Sequence, residues 1–235
     1  MSPQSINVAI LECDRSLDHD RSVYGGYGGL VKSWLDSHDF FRSNTSITVW
    51  DVCEEREYPK PVSSVESKEP WVETLLQFLS AVVNDDANET RILGVCFGHQ
   101  IMGKVLGSGV TRSSSGFESS LTEIQLTVEG VRLFGKSTLN LYQMHSDHIQ
   151  SAPDSAILLG STEHTKIQGL YKPKRLLTIQ AHPEFDGELM HLVYDLMEDH
   201  GDLTKAEVAQ GKAQIAGETD AKVVLDAFAR FLVEG

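Results

Sequence analysis

The chain has 235 residues, 40% of them hydrophobic, and its 34 acidic and 20 basic side chains give a formal net charge of −14 at pH 7. That length suits a full core in one domain spanning residues 1–235, and the acidic balance argues against nucleic acid or an anionic membrane as partner, because phosphate binding needs clustered Lys and Arg. Cys13, Cys53 and Cys96 are too few and too widely spaced for a disulfide framework or a structural zinc site, no apolar run approaches the roughly 20 residues of a membrane helix, and Met1 leads into a strand-like segment with no secretory pattern, so a cytosolic location is expected.

Ile6, Val8 and Ile10 alternate with Asn7 and Ala9, as in a strand, and the glycines at 25, 26, 28 and 29 then lead into Leu30, Val31, Trp34 and Leu35 at helical spacing. Ile47 to Trp50 reads as a second strand. Trp71, Leu75, Phe78, Leu79 and Val82 trace one face of a helix after Pro70. Between them, Cys53 to Pro70 is polar, holds three prolines and is longer than compact α/β domains usually leave without structure. Ile92 to Val95 has the short apolar run of a strand buried on both faces, and Phe97 to Leu106 reads as the helix after it. The second half is richer in β, with strands expected at 121–128, 139–144, 156–159 and 176–180, before helices at 188–198 and 221–233. The whole predicts an α/β protein of the doubly wound, flavodoxin-like kind: a three-layer sandwich around a mainly parallel central sheet, with an added β-rich part.

Gly94-Val95-Cys96-Phe97-Gly98 places a nucleophile between glycines where a predicted strand turns into a predicted helix. Such a turn strains the nucleophile's backbone and crowds its neighbours, which favours residues without side chains on both sides. The positive end of the helix stabilises a sulfur anion, and the Phe97 N–H can face a developing oxyanion. A buried, inert cysteine is the plain alternative. The thiol needs a proton-transfer partner. Of nine histidines, His182 stands out in Gln180-Ala181-His182-Pro183-Glu184 because it follows a predicted strand, with Glu184 near enough to fix the imidazole.

Val95 to Gln100 and Gln180 to Glu184 resemble the nucleophile and His/Glu motifs of class I glutamine amidotransferases, in particular the free-standing branch that includes plant γ-glutamyl peptidases and fungal proteins. Tyr24 to Tyr27, Gly116-Phe117-Glu118 and His145-Ser146-Asp147-His148-Ile149 resemble that branch in the same order. The resemblance implies a Cys96–His182–Glu184 triad, the Phe97 amide as oxyanion donor, and Gly98, Gln100, Glu118, His145 and Asp147 around a glutamyl pocket. It implies glutamine or a γ-glutamyl peptide or conjugate as substrate and no cofactor; with no synthetase domain in the sequence, freed ammonia would go to a separate subunit. Read by themselves, His145 and His148 have the spacing of two metal ligands but no matching third, Glu118 would be a solvated loop charge, and His164, His191 and His200 show no supporting pattern. The glycines at 25–29 match neither nucleotide fingerprint and are read as a flexible turn beside the active cleft.

The resemblance also marks a departure. Relatives of this type carry one more central strand, ending in a Gly-rich turn that supplies a second oxyanion donor. Here Tyr58 to Pro61 resembles the approach to that strand and Ser63 to Trp71 the segment on its far side, with on the order of 15 residues missing between Pro61 and Ser63, enough for a strand and its turn. The alternative to an active hydrolase is therefore a catalytically weak or inactive binding protein.

Overall fold

The computed structural model describes residues 5–13, 24–55, 57–59 and 71–234. They form two compact units, Met1–Thr90 and Arg91–Gly235.

In the first unit, β1 (Ile6–Glu12) is followed by α1 (Tyr27–Asp36), α2 (Asp39–Asn44), β2 (Thr45–Asp51) and α3 (Trp71–Asn84). β1 and β2 run parallel in register from Ile6↔Thr45 to Glu12↔Asp51, with α1 in the crossover that a parallel pair requires. The glycine run has a structural task instead of forming a loose turn. Gly25 and Gly26 take positive φ values of 75° and 87° to bring the chain into α1, and Gly28 lies so close to β2 that a Cβ there would sit 2.4 Å from Val49 Cγ1. The buried Glu12 carboxylate accepts the Gly28 N–H at 2.8 Å. α3 buries Leu75, Phe78, Leu79 and Val82 of the predicted stripe, with Val83 added, while Trp71 at its first turn is only half-buried. The point of the expected deletion, between Pro61 and Ser63, lies outside the described residues.

In the second unit the order is β3 (Ile92–Val95), α4 (Phe97–Val105), β4 (Val110–Arg112), β5 (Glu118–Leu126), α5 (Val128–Phe134), β6 (Thr138–His145), β7 (Asp147–Ile149), β8 (Ile157–Ser161), β9 (Gly169–Lys172), β10 (Leu176–Ile179), α6 (Gly187–His200), α7 (Lys205–Lys212) and α8 (Ala221–Val233). Six strands form one sheet in the order β3-β10-β9-β8-β5-β6, and β4 pairs with β7. Contrary to the expected mainly parallel sheet, only β3 and β10 run parallel within the six; the other four pairings are antiparallel. Short connections cause this: only residues 173–175 join β9 to β10, too few for a parallel crossover. Among the described residues β3 ends the sheet, with β10 as its single strand neighbour. At the other end the sheet curls back, for the Tyr142 carbonyl of β6 accepts the His182 N–H at 2.8 Å, three residues beyond β10.

The unit's core is built by Ile124, Leu139, Leu141, Leu159, Leu170 and Leu177 from the sheet, and α8 buries Val224, Phe228 and Phe231. The strand expected at 121–128 stops at Leu126 because the Thr127 side chain accepts the Gly130 N–H and starts α5, leaving Val128 exposed. α4 is tied to the sheet by His99, fully buried, whose Nδ1 meets Thr178 Oγ1 at 2.8 Å and whose Nε2 meets the Ile167 carbonyl at 3.1 Å. Because that carbonyl can only accept, Nε2 carries the proton and the ring is neutral, and burial lowers its pKa to about 3. The unfolded chain then takes up a proton that the folded one refuses, so between about pH 6.5 and 3 folding stability falls as pH falls, at ~1.4 kcal/mol per pH unit from this group. Urea unfolding across that range should show a smaller slope for His99→Gln than for the parent; equal slopes would contradict the assignment.

Candidate active site

The site is built on the two parallel strands of the second unit. β3 and β10 pair from Leu176↔Ile92 to Ile179↔Val95, and the ladder runs one bond further as the Cys96 N–H donates to the Ile179 carbonyl at 3.0 Å. The chain therefore leaves both strands at the same level, at their carboxyl ends, where α/β sheets place reactive groups. Cys96 turns the chain from β3 into α4 with φ 46° and ψ −103°, a conformation that costs a side-chain-bearing residue strain. The flanking glycines differ in purpose. A Cβ on Gly94 would lie 2.7 Å from Thr178 Cγ2 and 2.9 Å from the Gly98 backbone, whereas one on Gly98 would meet nothing among the described residues. Gly94 is thus required by the close stacking of strand on helix, and Gly98 is the surface it stacks upon.

His182 and Glu184, both 6% exposed, follow β10. His182 Nδ1 donates to Glu184 Oε1 at 2.7 Å, the ring stacks on Phe185 with centroids 4.2 Å apart, and its backbone is held by Tyr142. Nδ1 being occupied, Nε2 is the nitrogen that remains for the hydrogen bond with Cys96. Burial alone would push the His182 pKa down; the opposing pull of the Cys96 sulfur and the Glu184 carboxylate, with their hydrogen bonds, raises it well above the usual imidazole value. Cys96, His182 and Glu184 thus form one connected set, with the His182 ring between the sulfur and the carboxylate.

The other residues singled out in the sequence lie beside this set or behind it. Phe97 and Gly98 open α4 directly after Cys96. The Gln100 amide nitrogen donates to the Asp147 carbonyl at 2.8 Å and to Gln180 Oε1 at 3.2 Å. His145 Nδ1 also reaches the Asp147 carbonyl, at 3.0 Å, so that one oxygen joins the two side chains; the Asp147 carboxylate points elsewhere, 3.6 Å from Arg112 Nε. His145 Nε2 stands 3.1 Å from Glu118 Oε2. Glu118 is 5% exposed, and its carboxylate also accepts from Thr162 at 2.5 Å and Gln168 at 3.1 Å. Burial raises its pKa, but hydrogen bonds from His145, Thr162 and Thr165 more than offset this and leave it below the usual carboxylate range. Among the described residues no three His, Cys, Asp or Glu side chains are grouped as a metal ion would need, and no helix is long and apolar enough to cross a membrane. A cleft of about 480 Å³ bordered by Glu118, Thr162, His164, Tyr194 and Glu207 does not include Cys96 or His182. Sequence reasoning passed over Thr162, Gln168 and Gln180. Only Gln180 carried a signal, its place two residues before His182.

The fold seen here matches solved glutamine amidotransferase structures. One from Thermotoga maritima superposes with a TM-score of 0.73 over 98% of this chain and 100% of its own, at 18% identity, and one from Methylobacillus flagellatus with 0.67 over 97% and 93%, also at 18%. At the level of sequence, residues 63–195 match the model of glutamine amidotransferase class-I, and the chain belongs to that family. A glutamine amidotransferase-like protein of Schizosaccharomyces pombe is 30% identical, aligned along 97% of this chain and 99% of its own. γ-Glutamyl peptidase 5 of Arabidopsis thaliana is 32% identical over 52% of this chain and 53% of its own length.

The raised His182 pKa has a measurable consequence. A group whose folded value exceeds its unfolded value adds stability that is complete below about pH 6.5 and is lost as pH rises through the folded value. The chain should therefore lose stability on the alkaline side, and in Glu184→Gln, where one of the two negative partners is removed, the loss should start at lower pH. Thermal unfolding from pH 6 to 10, with imidazole NMR to locate the titration, tests both points; a His182 signal that titrates at the ordinary imidazole value would disprove the coupling.

Proposed function

We propose that this chain is a cysteine-dependent hydrolase of γ-glutamyl amide or peptide bonds, and that residues 1–235 make one amidotransferase domain. The observation that carries the reading is the placement of His182 between Cys96 and Glu184, with its ring held in one orientation and its affinity for a proton raised. In the proposed reaction the Cys96 sulfur attacks the γ-carbonyl and forms the C–S bond, while the Phe97 amide at the start of α4 faces the oxyanion. His182 passes a proton to the leaving amine, the C–N bond breaks, and a γ-glutamyl thioester remains. Water, deprotonated by His182, then adds to the thioester; the C–S bond breaks, its electron pair returns to sulfur, and glutamate departs. Gln100, with both amide protons engaged inside the protein, has its carbonyl oxygen left to meet a substrate donor such as the α-ammonium group. Gly98, His145, Asp147 and Glu118 complete the pocket or support it from behind. Glutamine and γ-glutamyl peptides are both suitable substrates; an ammonia-accepting subunit is needed only if the ammonia is used and not released.

A second reading, a weak or relic enzyme, is favoured by one observation on each side of the alignment. β3 has a single strand neighbour among the described residues. And 97% of 235 residues, about 228, spreads over 246 aligned positions, so the Schizosaccharomyces pombe relative carries about 18 residues without a counterpart here. Loss of one oxyanion donor would slow the reaction on the order of 10²–10³-fold.

Glutamate release from L-glutamine and from a γ-glutamyl dipeptide should be compared for the chain as it stands and for one with a strand-and-glycine-turn segment from a relative inserted between Pro61 and Ser63. The lengthened protein should hydrolyse at least one substrate, Cys96→Ala should abolish this, and Glu184→Gln should lower kcat by on the order of 100-fold while changing KM little. No glutamate from either protein would refute the hydrolase reading. Equal rates would refute the weak one.

A further inference from the structure

Behind the nucleophile lies a side chain that no step above employs. Gln180 is fully buried at the end of β10, its backbone N–H bound to the Gln168 carbonyl at 2.9 Å. Its side-chain amide nitrogen donates to the Cys96 sulfur at 3.6 Å, and its oxygen accepts from the Gln100 amide at 3.2 Å. Gln100 is in turn anchored on the Asp147 carbonyl. An amide has one end that donates and one that accepts, so fixing the oxygen on a donor turns the NH2 end toward the sulfur. Gln100 and Gln180 are at most 9% exposed, and a partly satisfied buried amide is costly, so the chain of bonds has one low-energy direction.

We propose that Gln180 is a further residue of the catalytic centre: its amide N–H holds the Cys96 sulfur and stabilises negative charge on it, and Gln100 acts as the positioning residue that keeps that N–H aimed. The inference rests on the reading of Cys96 as nucleophile. An anionic sulfur accepts a hydrogen bond better than a neutral thiol, and both accept better than the sulfur of a thioester, whose lone pairs are shared with the carbonyl. The interaction therefore strengthens whenever sulfur carries charge, before attack and again when the thiolate leaves the thioester. His182 supplies the proton traffic on one side of the sulfur, and Gln180 supplies a donor that cannot itself titrate.

The test reads the sulfur and not the hydrolysis, so it remains valid if the γ-glutamyl reading fails. The rate of Cys96 alkylation by iodoacetamide, located by mass spectrometry, is followed from pH 5 to 10 in the parent, Gln180→Met and Gln100→Met, beside the melting temperature of each. Gln180→Met has nearly the same shape without the donor, and it should slow alkylation about tenfold at neutral pH and displace the profile toward higher pH. Gln100→Met should displace it the same way by less, because Gln180 keeps its donor and loses only its aim. A merely structural role would move melting temperatures without moving the profile. If Gln180→Met does not fold, Gln180→Glu is used: it retains the acceptor for Gln100 and puts a carboxylate where the N–H was, and the profile should move upward further still. A parental profile in a folded Gln180→Met or Gln180→Glu would overturn the proposal.

Discussion

The parallel pairing of β3 with β10 is the constraint on which the rest of the site depends. Four residue pairs fix the register, the Cys96 N–H to Ile179 carbonyl bond extends it by one, and from that point Cys96 and His182 are separated by fixed backbone and not by loop. A slip of a single residue would displace one strand by roughly 3.3 Å and turn its side chains to the opposite face, which no rotamer change at His182 could repair. Three features hold the register in place. Gly94 allows the helix to sit directly on the strand, His99 bolts that helix to Thr178 of β10, and the Tyr142 carbonyl fixes the backbone of His182 from the far end of the sheet.

The interior behind Cys96, His182 and Glu184 is polar to a degree that needs explanation. Glu118, Gln143, His145, Thr162, Gln168 and Gln180 are all buried, and an unpartnered polar group in such a place costs ~1–3 kcal/mol. Mutual contacts offset part of the cost: Gln143 donates to Gln168, Gln168 donates to Glu118, and Glu118 faces His145, while Gln143 Oε1 has no partner among the described residues. A leucine-filled core of the same volume would fold as well or better. The polar one gives direction, because hydrogen bonds such as Gln143 to Gln168 and Gln168 to Glu118 fix how these side chains are turned.

Much of this was legible in the sequence. The strand at Ile92–Val95 and the helix at Ala221–Val233 were read to the residue, since a four-residue run of Ile, Leu, Gly and Val and a clean 3.6-residue stripe leave little choice. That Cys96, His182 and Glu184 meet was legible because a cysteine between glycines at a strand–helix junction and a histidine just past a buried strand point to one end of the same sheet. What could not be read has physical reasons. α7 is held by a Thr204–Glu207 capping box and shows hardly any apolar stripe, so periodicity passed over it. The sheet's direction was misjudged because apolar runs report burial, not orientation, and only connection lengths could have revealed the antiparallel block. Both glycines of the elbow seemed to serve the same end, yet only Gly94 is crowded. Gln180 was quoted as part of a motif and passed over because glutamines bind in many ways and spacing does not say to what.

The stretch from α4 to β9 leaves β3 and returns to β10, its immediate neighbour, so some eighty residues form an excursion whose two ends are stitched together by the strands that lead to Cys96 and His182. Its length has no effect on the distance between Cys96 and His182. Descent with modification can therefore lengthen, shorten or re-surface the hairpins of that excursion, changing what fits beside the cysteine, while Cys96 and His182 inherit their spacing unaltered. Variation within Ile92–Val95 or Leu176–Ile179 has no such freedom, and lineages carrying this site should diverge between those two strands long before they diverge in them.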